Sequence, residues 1–291
     1  MRQRQLSKPS RSALARMAEQ VITQLKTVSE DPYAKIPDDP VEFCVQLLGF
    51  KPTEYQVKLL RDEAQFIAAR WARQTGKTHT VAAKLLHFYL KHPDCWGGVI
   101  GPSFRQTKNV IAKIATHAKK LPPGYVKKPM RTMITFTNGA RVEAFPNNPD
   151  TIRGPTLNIV YWDEMNFTRD DEDLYDAILF TLGTTNGKFI CTSTPWSRDS
   201  IFWKLFNDKD FADFSRHHVR WEEAVAPRGP LNPGILEKIR KQLAADPWRW
   251  RREMEADWAE DEDSYFRQGL ITACIDPDLD YLEEKWLVAT A

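Results

Sequence analysis

A chain of 291 residues with 42% apolar and 27% charged side chains is long enough to bury a substantial core and has ordinary globular composition. No apolar run approaches the ~20 residues that cross a bilayer, and the basic start MRQRQLSKPSRS leads into no apolar signal segment, so neither a membrane-spanning nor a secreted protein is expected. The formal charge of +2 says little about partners, but its distribution is uneven: Cys95 to Val142 holds no Asp or Glu, against nine cations (Arg105, Lys108, Lys113, Lys119, Lys120, Lys127, Lys128, Arg131 and Arg141).

Residues 1–45 read as a basic, helix-prone arm that ends in the Pro/Asp-rich stretch Ile36–Pro40. After it, short apolar strands alternate with amphipathic helices, the pattern of an α/β domain on a mainly parallel sheet. Gln65–Trp71 reads as the first buried strand, followed by a Gly-Lys-Thr turn and a helix whose apolar face is Val81, Leu85, Leu86 and Tyr89. Trp96–Ile100 is the next strand, and the helix after it carries the stripe Val110, Ile111, Ile114 and Ala118. Thr132–Phe136 and Arg141–Phe145 flank Asn138-Gly139, which predicts a hairpin with a two-residue turn, inserted on the basic side. Leu157–Trp162 is the most apolar strand and stops at Asp163-Glu164; Gly187–Cys191 stops at Thr192-Ser193-Thr194-Pro195. Both leave polar residues at the C-terminal sheet edge, where open α/β sheets bind ligands.

Past residue 205, Ala212–Trp221 reads as one more strand, and Asn232–Asp246 and Pro247–Trp258 as polar helices with Asn or Pro starts. The expected division is an α/β core at 46–205, a small helical lid subdomain at 206–262, and a linker or tail at 263–291 that follows the acidic run from Glu260. Cys44, Cys95, Cys191 and Cys274 are scattered without a CxxC pair, which points to reduced thiols rather than a zinc site or a disulfide framework.

Arg73, Gln74, Thr75, Gly76, Lys77 and Thr78 lie between a predicted strand and a predicted helix. A phosphate-binding loop needs that setting: backbone N–H groups and a helix N-terminus face the polyphosphate, with Lys77 on the β/γ oxygens and the Thr78 hydroxyl on magnesium. Trp71 stands where the first glycine of such a loop usually falls, and taken alone the tripeptide fits an ordinary strand-turn-helix equally well. Asp163 and Glu164 supply a magnesium-binding acid and a second acid able to polarise an attacking water. Thr192, Ser193 and Thr194 offer hydroxyls to a γ-phosphate. Tyr55 and Gln56 offer a ring to stack on an adenine and an amide to read its edge. Arg153, in the loop Asn147–Thr156, is either a finger for transition-state charge or a solvated side chain.

The ordered set Tyr55-Gln56, RQTGKT, Arg153-Gly154, WDE and TSTP, closed by Arg252–Trp258, resembles the N-terminal ATPase half of viral, tailed-phage terminase large subunits over about residues 50–265. The resemblance implies a P-loop NTPase of the ASCE, RecA-like type that uses ATP and Mg2+. Carried onto this sequence, it implies that Lys77 and Thr78 bind Mg·ATP, Asp163 coordinates magnesium and Glu164 is the catalytic glutamate. Arg73 would sense phosphate, Arg153 would reach a neighbouring subunit's site, and Thr192–Thr194 would couple hydrolysis to lid movement. The implied activity is translocation of double-stranded DNA into a capsid by a homo-oligomeric ring, commonly of five subunits. Its partners would be the portal protein and the small terminase subunit, in the host cytoplasm and transiently on the procapsid. The basic stretch would face DNA or a neighbouring subunit.

Relatives normally continue into an RNase H-like nuclease; the tail holding Asp276, Asp278 and Asp280 has no room for one, so no nuclease activity is expected in this chain. Two alternatives compete. A helicase-type nucleic-acid translocase needs a second RecA-like lobe, which the roughly ninety residues after TSTP do not provide. A non-catalytic nucleotide-binding assembly protein would be expected to have lost one of Lys77, Thr78, Asp163 and Glu164.

Overall fold

Strands β1 (Phe66–Trp71), β2 (Trp96–Ile100), β3 (Met133–Thr135), β4 (Arg141–Ala144), β5 (Ile159–Asp163), β6 (Lys188–Ser193) and β7 (Ser215–Val219) make one sheet, in the order β3-β4-β2-β5-β6-β1-β7. They are seen in a computed structural model that describes residues 32–127, 129–259 and 274–275. The arm before residue 32, Lys128, the acidic run at 260–263 and the aspartates of the tail lie outside the described residues. Every pairing is parallel except β3 with β4. The fold is therefore the mainly parallel α/β sheet that the alternating pattern predicts, and β5, buried at every position, is apolar from Ile159 to Trp162 before it ends at Asp163.

Helices α1 (Pro40–Gln46), α2 (Glu54–Arg61), α3 (Lys77–Lys91) and α4 (Phe104–Ala118) cover one face of the sheet, with Leu59, Leu85, Leu86, Val110 and Ile114 in one apolar cluster. Helices α5 (Pro149–Ile152), α6 (Asp171–Gly183) and α7 (Ile201–Asn207) cover the other, around Trp162, Leu174, Ile178 and Phe202. Both expected helical stripes, on α3 and α4, are buried residue for residue. Among the described residues no helix is long and apolar enough to cross a membrane, and Cys44, Cys95 and Cys191 are buried thiols.

The Asn138-Gly139 hairpin forms, but it is not an insertion. β4 pairs in parallel with β2, so the hairpin is the edge of the main sheet. Its loop has three residues rather than two: Phe136 N donates to Ala140 O (2.8 Å), and Gly139 takes the left-handed φ of +90° that follows a type I turn. A Cβ at Gly139 would collide with the Asp94 carboxylate, so the position needs glycine for space as well as for backbone angle.

At the opposite edge β7 pairs with β1, so the sheet runs on past residue 205. His217 Nε2 and Ser215 Oγ both donate to Asp62 Oδ2 (2.6 Å each), tying this edge to the end of α2. Burial pushes the Asp62 carboxyl up, but these bonds outweigh it and hold the group well below the usual carboxylate range. After β7 come α8 (Trp221–Ala224), α9 (Pro233–Gln242) and α10 (Pro247–Glu253), both of the last two shorter than predicted. Asn232 and Asp246 cap α9 and α10 by accepting from backbone N–H groups of their first turns.

Candidate nucleotide site

The C-terminal ends of β1, β5 and β6 lie side by side and bring three sequence motifs to one edge. The β1 end turns sharply: Gln74 (φ +63°) and Gly76 (φ +88°) are both left-handed, and Gly76 caps the 15-residue helix α3. A Cβ on Gly76 would sit 2.9 Å from Gln56 Nε2, so the backbone runs directly under that amide. The non-standard tryptophan is accommodated because it points inward: Trp71 is fully buried, edge-on to Tyr55 at 5.0 Å. Thr75 is also turned inward, its hydroxyl donating to Ala72 O (2.7 Å), so its side chain clasps the loop rather than facing a ligand.

Lys77 is buried to 7% exposure, and its Nζ donates to Trp71 O (3.1 Å) and to Thr194 Oγ1 (3.0 Å). A buried ammonium requires such partners, and Glu164 Oε1 at 3.5 Å supplies the countercharge. Asp163 Oδ1 accepts from the Tyr161 hydroxyl (2.6 Å) and the Thr192 hydroxyl (3.1 Å), and lies 3.4 Å from Thr78 Oγ1. Burial, followed by the neighbouring charge of Glu164, pushes the Asp163 carboxyl up against the opposing pull of these hydroxyls and of Lys77. Glu164 has left-handed backbone angles (φ 51°, ψ 47°), uncommon for a non-glycine residue. This turns its carboxylate toward β6, where Oε2 accepts from Ser193 Oγ (3.3 Å) and Thr194 N (3.2 Å). Thr78 and Asp163 thus present a hydroxyl and a carboxylate to one point, a donor set suited to magnesium, a hard cation.

Lys77, Thr78, Glu164 and Thr194, with Arg73, Gln74 and Gly76, help to line a cleft of about 820 Å³, whereas Asp163, Thr192 and Ser193 are buried behind that lining. Gln56 lines it too, its Oε1 held by Thr53 N (2.9 Å). Tyr55 does not stack on anything in the cleft: it is 3% exposed, its ring lies against Trp71, and its hydroxyl donates to Thr75 O (2.9 Å). Phe50, which no sequence motif singles out, lines the cleft instead and is backed by the rings of His79 (4.8 Å) and His117 (5.8 Å). Lys51, Gln106, Lys113 and Phe167 are further lining residues that carry no motif.

The two expected arginines are placed differently. Arg73 lines the cleft, but its Nη1 donates to both carboxylate oxygens of Glu253 in α10 (2.9 and 3.0 Å). Arg153 is not brought to this chain's own cleft; it ends α5, is exposed, and pairs with Asp150 at 3.1 Å. Asn166, also without a motif, ties the second acid's loop to the segment after TSTP: its Oδ1 accepts from Trp196 N and its Nδ2 donates to Ser197 O (3.1 Å).

Residues 71–273 match the family described as Terminase large subunit, T4likevirus-type, N-terminal. The terminase large subunit of Thermus virus P23-45 is 26% identical over 179 residues, which span 54% of this chain and 36% of that protein. That of Thermus phage G20c is 25% identical over the same shares. The matched stretch is therefore only about a third of either relative. Among solved structures, the large terminase ATPase domain of Thermus phage P74-26 superposes with a TM-score of 0.59 at 21% identity, covering 77% of this chain and 99% of that one. The HK97 bacteriophage large terminase gives 0.62 at 15% identity, covering 76% and 55%. The large terminase of another thermophilic bacteriophage, solved in complex with ADP, gives 0.60 at 16% identity over 72% and 54%. At these identities the structures establish a shared fold.

Proposed function

This chain belongs to the terminase large-subunit family, T4-like-virus type, and from that premise we propose that it hydrolyses ATP to move double-stranded DNA into a viral capsid. The observation that carries the reading is the placement of Glu164, held by Ser193 and Thr194 at the edge of the cleft and 3.5 Å from the buried Lys77. Lys77 neutralises charge on the β- and γ-phosphates, and the left-handed loop at Gln74–Gly76 presents backbone N–H groups to them. Glu164 orients the attacking water and draws off its proton as the water oxygen bonds to the γ-phosphorus; the bond to the bridging oxygen breaks, leaving ADP and phosphate. Thr78 and Asp163 would hold magnesium, which supplies further charge neutralisation. Thr194 bonds both Lys77 and Glu164, so it feels the loss of the γ-phosphate from two sides.

Phe50 takes the stacking role that Tyr55 is too buried to play, and Gln56 lies within reach of the base edge. Arg73 exchanges Glu253 for phosphate when nucleotide enters, and Arg153 serves a neighbouring copy's site. The working form is a homo-oligomeric ring of five copies on the portal protein, with the small terminase subunit as partner, in the host cytoplasm and on the procapsid. Steady-state ATP hydrolysis with and without duplex DNA tests the central point. Glu164→Gln should reduce turnover by ~100-fold or more. A wild-type chain that binds ATP and never turns it over, at any concentration or with any DNA, would leave a nucleotide-binding scaffold.

A further inference from the structure

Glu164 holds a backbone conformation that a glutamate does not choose for itself. At φ 51° and ψ 47° it lies in the left-handed region, where the Cβ crowds the backbone. A residue stays there only when the structure around it over-determines the turn. Upstream the hold is the sheet, since Asp163 ends β5 and pairs with Thr192 of β6. Downstream the chain has left the sheet. The turn there closes on itself, Phe167 N donating to Glu164 O (3.1 Å) and Thr168 N to Met165 O (3.0 Å), and Thr168 Oγ1 accepts from Trp162 Nε1 (3.1 Å), back on the same strand.

The side chain that fastens this turn to a different segment is Asn166, which is 4% exposed. Its Oδ1 accepts from Trp196 N, and its Nδ2 donates to Ser197 O (3.1 Å) and to Ser200 Oγ (2.6 Å), which uses both amide hydrogens. Its backbone N–H donates to Ser193 Oγ (3.2 Å), the hydroxyl that also meets Glu164 Oε2. The amide has one orientation, because a backbone N–H faces its oxygen and a backbone carbonyl faces its nitrogen. An aspartate of the same shape would set two acceptors against each other at Ser197 O.

We propose that Asn166 is the positioning residue for Glu164: by pinning the turn two residues on, it keeps the acid in the left-handed conformation that aims its carboxylate at Ser193, Thr194 and the cleft. Asn166 does not line the cleft, and its polar atoms bond the segments at Ser193 and Ser197 rather than Lys77, Thr78 or Asp163. Its effect on turnover therefore passes through Glu164. The role rests on the ATPase reading above, in which Glu164 acts on the attacking water, whereas the clamp itself does not.

ATP turnover in a double-variant cycle tests the proposal. Asn166→Ala should lower kcat by ~10–100-fold, the loss expected when a reacting group is misplaced by about 1 Å, and should change KM for ATP by less than ~2-fold. In a Glu164→Gln background the same substitution should cost less than ~2-fold, because nothing is left to position. A merely structural role would lower both backgrounds alike and move KM as well. Asn166→Asp, which leaves no cavity but loses both donors, should match Asn166→Ala. Ser200→Ala keeps Asn166 and removes one of its partners; it should cost roughly 3–10-fold, again only where Glu164 is present, and it carries the test if the Asn166 variants do not fold. Amide exchange over Met165–Thr168 should quicken in Asn166→Ala while that of α3 stays as in wild type, which reads the clamp without any turnover. Three results overturn the proposal: equal losses in both backgrounds, a folded Asn166→Ala chain with wild-type kcat, or unchanged exchange in the turn. If wild type and Glu164→Gln turn over ATP at the same rate while the turn still loosens, the reading of Glu164 has failed and the positioning role falls with it, leaving the clamp as a structural tie.

Discussion

The wall of the cleft and the helices α9 and α10 beside it, which we propose act as a lid, are built on opposite principles. In the wall, Lys77, Asp163, Thr192, Ser193 and Thr194 are all buried, and each makes more than one polar contact. Buried polar groups are costly unless satisfied, and a network satisfied in this way is rigid. The lid is attached sparsely: α9 buries only Leu236, and α10 buries only Arg252 and Glu253. Its ties reach the two motif-bearing loops, Arg73 through Glu253, and Trp196 through Arg252, whose guanidinium lies 4.4 Å over that ring. A site that must hold reacting atoms in place is drawn from the most ordered part of a fold, and an element that must move is drawn from the least.

The largest expected effect tests the wall. Lys77→Ala removes the charge facing the phosphates and leaves Trp71 O and Thr194 Oγ1 without that donor. Turnover should fall by ~100–1,000-fold, while amide exchange in α9 and α10 stays as in wild type. Faster exchange in the lid would show that wall and lid are one unit. The next effect sharpens the wall's own stability. Burial, with a smaller contribution from the His79 charge, pushes His117 down to about 4, below the ~6.5 of an exposed histidine. The unfolded chain therefore takes up the proton first as pH falls. The stability from keeping this ring neutral is fully present above pH ~6.5 and is lost on acidification toward 4, by up to ~1.4 kcal/mol per pH unit. Urea unfolding between pH 7 and 5 should show a slope to which His79, His87 and His218, also pushed down by burial, contribute, and His117→Gln should make it shallower without abolishing it; an equal slope in both chains rules the assignment out.

The wall is legible in the sequence because its parts are local. The expected strand Trp96–Ile100 coincides with β2 residue for residue, and each polar motif immediately follows an apolar run that forms a central strand. The departures depend on partners far along the chain. The hairpin looks like an insertion until β4 meets β2, and Tyr55 looks like a stacking ring until Trp71 turns inward against it. Phe50 and Lys113 carry no motif; they reach the cleft because α4 packs beside α3 and places His117 4.4 Å from His79, under the ring of Phe50. Arg73 meets a carboxylate 180 positions later, which no local pattern reveals.

That last pair gives the smallest effect and the finest test of the contrast. Arg73 is 63% exposed at its side chain and Glu253 12%, so solvent screens the ion pair and it contributes at most ~1 kcal/mol. The backbone bonds Arg73 N to Glu253 O and Trp221 N to Met254 O (2.8 Å each) remain when the carboxylate goes. Glu253→Ala should therefore speed amide exchange in α9 and α10 by about fivefold and leave β1, β5 and β6 unaffected. Glu253→Gln, which keeps an acceptor and loses the charge, should fall between the two. Turnover should change by no more than a similar factor, because the carboxylate touches none of the groups around Glu164. If lid exchange does not change, the lid is held by its backbone bonds, Arg73 N to Glu253 O among them, and by Arg252 on Trp196, and the Arg73 side chain contributes nothing to the tie.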